Sequence, residues 1–220
     1  MVEARVQRFR SWCAPIALAI ALAVGVPPSA RALTLADLDA GGSFSVGALT
    51  FSDFDVLVTG DLSADLSDYG VQLLADGFRV VGPLTTVADE VGSLLVSFAV
   101  EAAGSFAIDG ASLFSPLVAV GAGSSALVSD AIFDGDGNPL AQLLALEVFG
   151  VASSPSDATS FADQARLLVV KTVALGGGAF SAAPFVEQRF TVIPEPITLA
   201  LLAGGCIGLG VAGRRRAMVA

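Results

Sequence analysis

The sequence contains no histidine, two cysteines, one tryptophan and one tyrosine, and its 11 basic side chains are outnumbered by 21 acidic ones. Each shortage removes a class of function. Without histidine there is no Ser-His-Asp or Cys-His centre and no imidazole-bound metal. A net charge of −10 makes the chain a poor partner for a phosphate backbone, so nucleic-acid binding is not expected. The cysteines, Cys13 and Cys206, flank the middle of the chain, which therefore folds without disulfides. Cys206 reads as a small apolar residue. Charged residues make up 15% of the 220 and hydrophobic ones 54%. That is too apolar for a disordered chain and more apolar than a plain soluble domain. The length suits one domain with appendages.

Much of the apolar content sits at the two ends. Arg5, Arg8 and Arg10 precede an apolar run from Ala14 to Val26, then Pro27-Pro28-Ser29 and Ala30-Arg31-Ala32. This pattern predicts a secretory signal peptide over residues 1–32, cut by signal peptidase after the small residues Ala30 and Ala32. As a helix the run spans about 20 Å, against a hydrocarbon core of about 30 Å, so it is short for a permanent span. At the other end, Pro194-Glu195-Pro196 is followed by an uncharged apolar stretch and then Arg214-Arg215-Arg216. The prolines halt regular structure, and Pro196 is placed to open a helix. The pattern predicts a transmembrane helix over residues 197–213 with the arginines on the cytoplasmic side. Gly204 and Gly208 give this helix a G-x-x-x-G spacing that suits close helix approach.

The order Pro-Glu-Pro, apolar helix, arginine cluster resembles the PEP-CTERM sorting domain of exported proteins from Gram-negative bacteria that make exopolysaccharide. The resemblance implies recognition by an exosortase, an integral-membrane cysteine transpeptidase-like enzyme. On that likeness Pro194, Glu195 and Pro196 are the recognised motif, and Arg214, Arg215 and Arg216 stop transfer. It implies transient residence in the inner membrane and then the cell surface or the exopolysaccharide and biofilm matrix. The stretch Leu168 to Pro196, including Lys171 and Glu187-Gln188-Arg189-Phe190, resembles the region that precedes the membrane segment in such proteins.

Between the ends, residues 33–192 are predicted to form an acidic β domain. Residues 33–193 hold 15 Asp and 4 Glu against Arg79, Arg166, Lys171 and Arg189. Period-2 patterns predict strands at Leu94–Glu101, Ser105–Asp109, Arg166–Leu175 and Val186–Val192. In the second of these Phe106 and Ile108 face inward; in the third Lys171 interrupts an apolar face; in the last Glu187, Arg189 and Thr191 point outward. Further strands are expected at Asp55–Thr59, Tyr69–Ala75, Phe78–Val81, Ala126–Phe133 and Leu140–Phe149. Turn formers separate them: Asp76-Gly77, Gly82-Pro83, Asp109-Gly110, Asp134 to Pro139 and Gly176 to Gly178. Thr34–Asp39, with a capping-box start, and Asp157–Ala165 read as helices. Many short strands with Gly and Asp turns predict a mostly β fold, an antiparallel, jelly-roll-like β-sandwich.

Candidate chemistry in the domain is sparse. Asp134, Asp136 and Asn138 alternate as calcium-loop ligands do, but Pro139 and Ala145 stand where an EF-hand has Gly and Glu. A hairpin turn is the main reading; a looser calcium site is the weaker one. Asp53, Asp55, Asp61, Asp65 and Asp68 could pair as glycosidase carboxylates only across a suitable cleft, and they read first as solvating charge. After signal removal Tyr69 is the sole Trp or Tyr ring for a sugar platform, and 13 Phe are expected to fill the core. The chain is thus expected to be a non-enzymatic secreted or surface protein, structural or adhesive. A permanently tail-anchored module with calcium-assisted ligand contact is the alternative.

Overall fold

The computed structural model describes residues 32–194. The predicted signal segment up to Arg31, with Ala30, and the tail from Glu195 through Pro196, the 197–213 helix and Arg214 to Arg216 lie outside the described residues. Among the described residues no helix is long and apolar enough to cross a membrane.

The domain opens with a single short helix, α1 (Leu35–Asp39). The expected capping box is formed: Thr34 Oγ1 accepts from the Asp37 amide at 3.3 Å, and the Thr34 amide donates to Asp37 Oδ2 at 3.1 Å. Then follow β1 (Phe44–Val46), β2 (Leu49–Gly60), β3 (Gly70–Leu74), β4 (Gly77–Val81), β5 (Thr85–Val87), β6 (Val91–Ala102) and β7 (Phe106–Phe114). The second half comprises β8 (Val118–Val120), β9 (Ser125–Asp134), β10 (Pro139–Val148), β11 (Ala152–Ser154), β12 (Ser156–Gln164), β13 (Arg166–Gly176), β14 (Phe180–Ala182) and β15 (Phe185–Pro194).

The strands form a seven-stranded sheet, β1-β2-β6-β13-β9-β10-β11, and a five-stranded sheet, β12-β7-β15-β4-β3, with β5-β14-β8 as a small third sheet. Every pairing is antiparallel. The chain crosses repeatedly between the two large sheets, so neighbours such as β6 and β13 or β7 and β15 are distant in sequence. The two inner faces share one core. Phe51 on β2 lies 5.4 Å from Phe78 on β4 edge-on, and Phe98 on β6 lies 5.2 Å from Phe78. Alternation on β6 and β13 supplies this core with Leu94, Val96, Phe98 and Val100, and with Leu167, Val169 and Val173, while Ala99 on the other face of β6 is buried as well.

Several expectations are corrected. Asp157–Ala165 is not a helix but most of β12, an edge strand paired with β7 through Asp157 to Ser160. Its alanines give it weak helix preference, but pairing and the packing of Phe161 against the core override that. Asp109-Gly110 is not a turn: it lies inside β7 beside a register shift opposite Thr191 and Val192. There a Cβ on Gly110 would meet the Thr159 carbonyl oxygen at 3.0 Å, so the glycine serves close strand approach. The same irregularity breaks the alternation, leaving Phe106 exposed while Ala107 and Ile108 are both buried. The Phe residues divide: Phe51, Phe54, Phe78, Phe98 and Phe190 are core, whereas Phe106, Phe114 and Phe149 are exposed.

Candidate functional site

The outer face of the five-stranded sheet carries a linked group of charged and aromatic side chains. On β15 the alternation turns Val186, Gln188 and Phe190 inward and Glu187 and Arg189 outward. Glu187 stands in register with Arg79 on β4 and Phe114 on β7, and Arg189 with Gly77 and Ser112. Arg79 Nη2 donates to Glu187 Oε2 at 2.6 Å, and Arg189 Nε donates to Glu187 Oε1 at 2.6 Å. Arg189 Nη1 reaches Asp76 Oδ1 at 3.0 Å, at the β3–β4 turn. The Arg79 guanidinium lies 4.0 Å over the Phe185 ring, whose centroid is 5.8 Å from that of Phe114.

Two guanidinium partners leave Glu187 only 7% exposed. Burial pushes its carboxyl up, but the hydrogen bonds and charges of Arg79 and Arg189 outweigh this and hold it below the ordinary 4.5. Arg79 and Arg189 are each partly exposed and use Nε plus one terminal nitrogen. Among the described residues Arg79 Nη1 and Arg189 Nη2 meet no acceptor. Phe114, 39% exposed, adds an apolar ring beside them. Fixed donors next to an aromatic surface can engage hydroxyl or carboxylate groups while covering C–H faces. Sequence alternation had turned Glu187 and Arg189 outward. It could not supply Arg79 as their partner, because the β4–β15 pairing joins segments 108 residues apart.

The other sequence candidates are not brought together. Asp53, at φ +56 in the irregular part of β2, pairs with Arg166 at 3.0 Å. Asp61 accepts from the Val91 amide at 3.0 Å, Asp65 caps the 3₁₀ turn Leu66–Asp68, and Asp68 accepts from Ser63 Oγ at 2.6 Å. Asp55 is exposed. Each of Asp61, Asp65 and Asp68 thus serves its own local structure. Asp134 lies in the β9–β10 hairpin, where its carboxylate accepts from the Asp136 and Asn138 amides and from Asn138 Nδ2 at 2.8 to 3.0 Å. The Asn138 side chain is the largest cause holding its carboxyl below the ordinary value. Among the described residues no cluster of three or more His, Cys, Asp or Glu could hold a metal ion. Tyr69 is fully buried and its hydroxyl donates to the Ser63 carbonyl at 2.8 Å, so it is no sugar platform.

The molecule is therefore an antiparallel sandwich with a polar and aromatic patch on its smaller large sheet. No protein-family model matches the chain, and no curated protein matches it. Among solved structures it is similar to TmCBM61 in complex with β-1,4-galactotriose, at 14% identity and a TM-score of 0.35, over 64% of this chain and 88% of that one. A structure of carbohydrate-binding modules from the β-sandwich superfamily gives 7% identity and a TM-score of 0.26, over 68% and 58%. A cellulase derived from Cel12A of Rhodothermus marinus gives 10% identity and a TM-score of 0.27, over 70% and 95%.

Proposed function

We propose that this chain is a non-enzymatic exported protein, sorted by an exosortase and delivered to the cell surface or the exopolysaccharide matrix, where its sandwich makes adhesive contact with polysaccharide. The observation that carries the reading is the succession, in the sequence, of Pro194-Glu195-Pro196, an apolar stretch and Arg214-Arg215-Arg216. Pro194 is exposed and is the last residue of β15, so the motif begins at an accessible strand end. In this reading the signal peptide is removed after Ala32, the tail holds the protein in the inner membrane during sorting, and signal peptidase and exosortase are its processing partners. The patch of Arg79, Arg189, Phe114 and Phe185 supplies the polysaccharide contact, and the guanidinium donors suit a polymer bearing carboxylates.

The sorting half is tested by replacing Pro194 and Pro196 with alanine in a host that carries an exosortase. The unprocessed form should accumulate in the inner-membrane fraction. Unaltered maturation, or a mature protein that retains Arg214 to Arg216 in the lipid, would instead favour a permanent tail anchor. The contact half is tested by affinity electrophoresis in gels containing uronate-bearing polysaccharide. The wild type should be retarded, and Arg79→Ala with Phe114→Ala should migrate freely; equal mobility of both would end the patch as a contact surface.

A further inference from the structure

The interior holds a buried amine that the surface reading does not use. Lys171 replaces an apolar residue in the inward series Leu167, Val169, Val173 and Leu175 of β13, and it is 2% exposed. It stands in register with Asp130 on β9. Nζ donates to Asp130 Oδ1 at 2.6 Å and, across the sandwich, to Gln188 Oε1 on β15 at 2.8 Å. Asp130 and Gln188 are wholly buried. Val96 on β6 and Leu143 on β10 face the same two residues from the adjoining strands, and both are buried hydrocarbon.

As an ion pair this arrangement is poorly served. The ammonium has three N–H groups and two acceptors. Asp130 Oδ2 and Gln188 Nε2 have no hydrogen-bond partner. Two charges are removed from water, and a charged carboxylate keeps one bare oxygen. Burial drives the Asp130 carboxyl up and the Lys171 amine down, in both cases against the pull of the partner charge, which narrows the gap between the ion pair and the neutral acid and amine. An amide linking the same side chains would carry no charge. It would present one N–H and one C=O, and Gln188 offers a carbonyl acceptor and an unused NH2 group.

We propose that Lys171 and Asp130 become joined by an intramolecular isopeptide bond once the sandwich has folded. The Nζ proton first passes along the hydrogen bond to Oδ1, leaving a neutral amine and a carboxylic acid. The Nζ lone pair then adds to Asp130 Cγ and forms the C–N bond. The protonated oxygen takes a second proton from nitrogen and leaves as water, and the amide nitrogen keeps one hydrogen. No oxidant or cofactor enters the balance. Gln188, reaching from the opposite sheet, is a positioning residue that holds Nζ beside the carboxyl. The bond would close a span of 41 residues in a domain that has no cysteine to staple it.

The test is peptide mapping of the full chain, purified and then denatured. A branched peptide joining Lys171 to Asp130, lighter than its two parts by one water, is expected, with protease cleavage at Lys171 abolished. The branched fragment decides the matter, because Asp76-Gly77, Asp109-Gly110, Asp134-Gly135 and Asp136-Gly137 can each lose water as a succinimide. Hydroxylamine opens succinimides and should leave the branch intact. Lys171→Arg should yield only linear peptides. Linear peptides in the wild type carrying an unmodified Lys171 and Asp130 would overturn the proposal, whatever the variant's folding.

Discussion

At the scale of single residues, Glu187 concentrates the domain's surface electrostatics. Its folded carboxyl titrates below its ordinary 4.5 because Arg79 and Arg189 both donate to it. The folded state therefore holds fewer protons than the unfolded chain in that window. The stabilisation is complete above pH 4.5 and is lost as pH falls through the lower folded value. Urea midpoints across an acid series should accordingly drop more steeply for the wild type below pH 4.5 than for Glu187→Gln. Parallel curves would mean that Glu187 is not coupled to its arginines. Gly77 acts on the same cluster through backbone. A Cβ there would collide with the Gln188 carbonyl oxygen and lie 2.9 Å from Arg189 Cα, both on the partner strand. Gly77→Ala should cost about 3 kcal/mol in urea unfolding, at the upper end for overpacking. A loss under about 1 kcal/mol would show that β4 and β15 can part without penalty.

At the scale of elements, local chemistry decides turns and caps. Asp134 closes the β9–β10 hairpin by accepting from two amides and one side-chain amide of its own loop. Asp134→Ala should lower the melting temperature, and in 0.15 M sodium chloride, where general repulsion is already screened, millimolar calcium should leave the wild-type melting temperature unchanged. A calcium-dependent rise would restore the loop as a cation site. Thr34→Ala removes one half of the capping box on α1 and should cost about 1 kcal/mol by chemical denaturation. The same locality explains what the sequence disclosed. Where one face is buried and the other partly exposed, as on β9, alternation alone orients the residues, and Asp76-Gly77 and Asp134 to Pro139 mark real hairpins. Where a strand is irregular, as at Asp109-Gly110, turn chemistry misleads, because the same residues suit a bulge. Where an edge strand is held by its neighbour, as in β12, intrinsic preference misleads. Lys171 interrupts an apolar face in the sequence. Its answer, Asp130 and Gln188, comes from strands that only the wound topology brings together.

At the scale of the whole molecule, the charge is lopsided. Residues 33–193 carry 19 acidic side chains against four basic ones. One of those four, Lys171, is sealed in the core, so Arg79, Arg166 and Arg189 are the cations at the surface, and each already faces a carboxylate. The remaining aspartates and glutamates repel one another over distances that salt controls. The Debye length falls from about 30 Å at 0.01 M to about 8 Å at 0.15 M, shorter than a sandwich of this size is wide. Screening therefore relieves long-range repulsion among many carboxylates more than it weakens a few close pairs, which hydrogen bonding also holds. Thermal melts should move to higher temperature as sodium chloride rises across that range. A falling melting temperature would mean that the arginine pairs, and not the carboxylate excess, dominate the electrostatics. The same excess bears on the proposed partner: an acidic polysaccharide would be repelled by most of the surface and admitted only at the Arg79 and Arg189 patch. Its retention in affinity gels should thus strengthen on modest salt addition, as general repulsion is screened first, and then weaken as the contacts to the arginines are screened. A retention that only falls with salt would point to attraction spread over the whole surface, which this charge distribution does not provide.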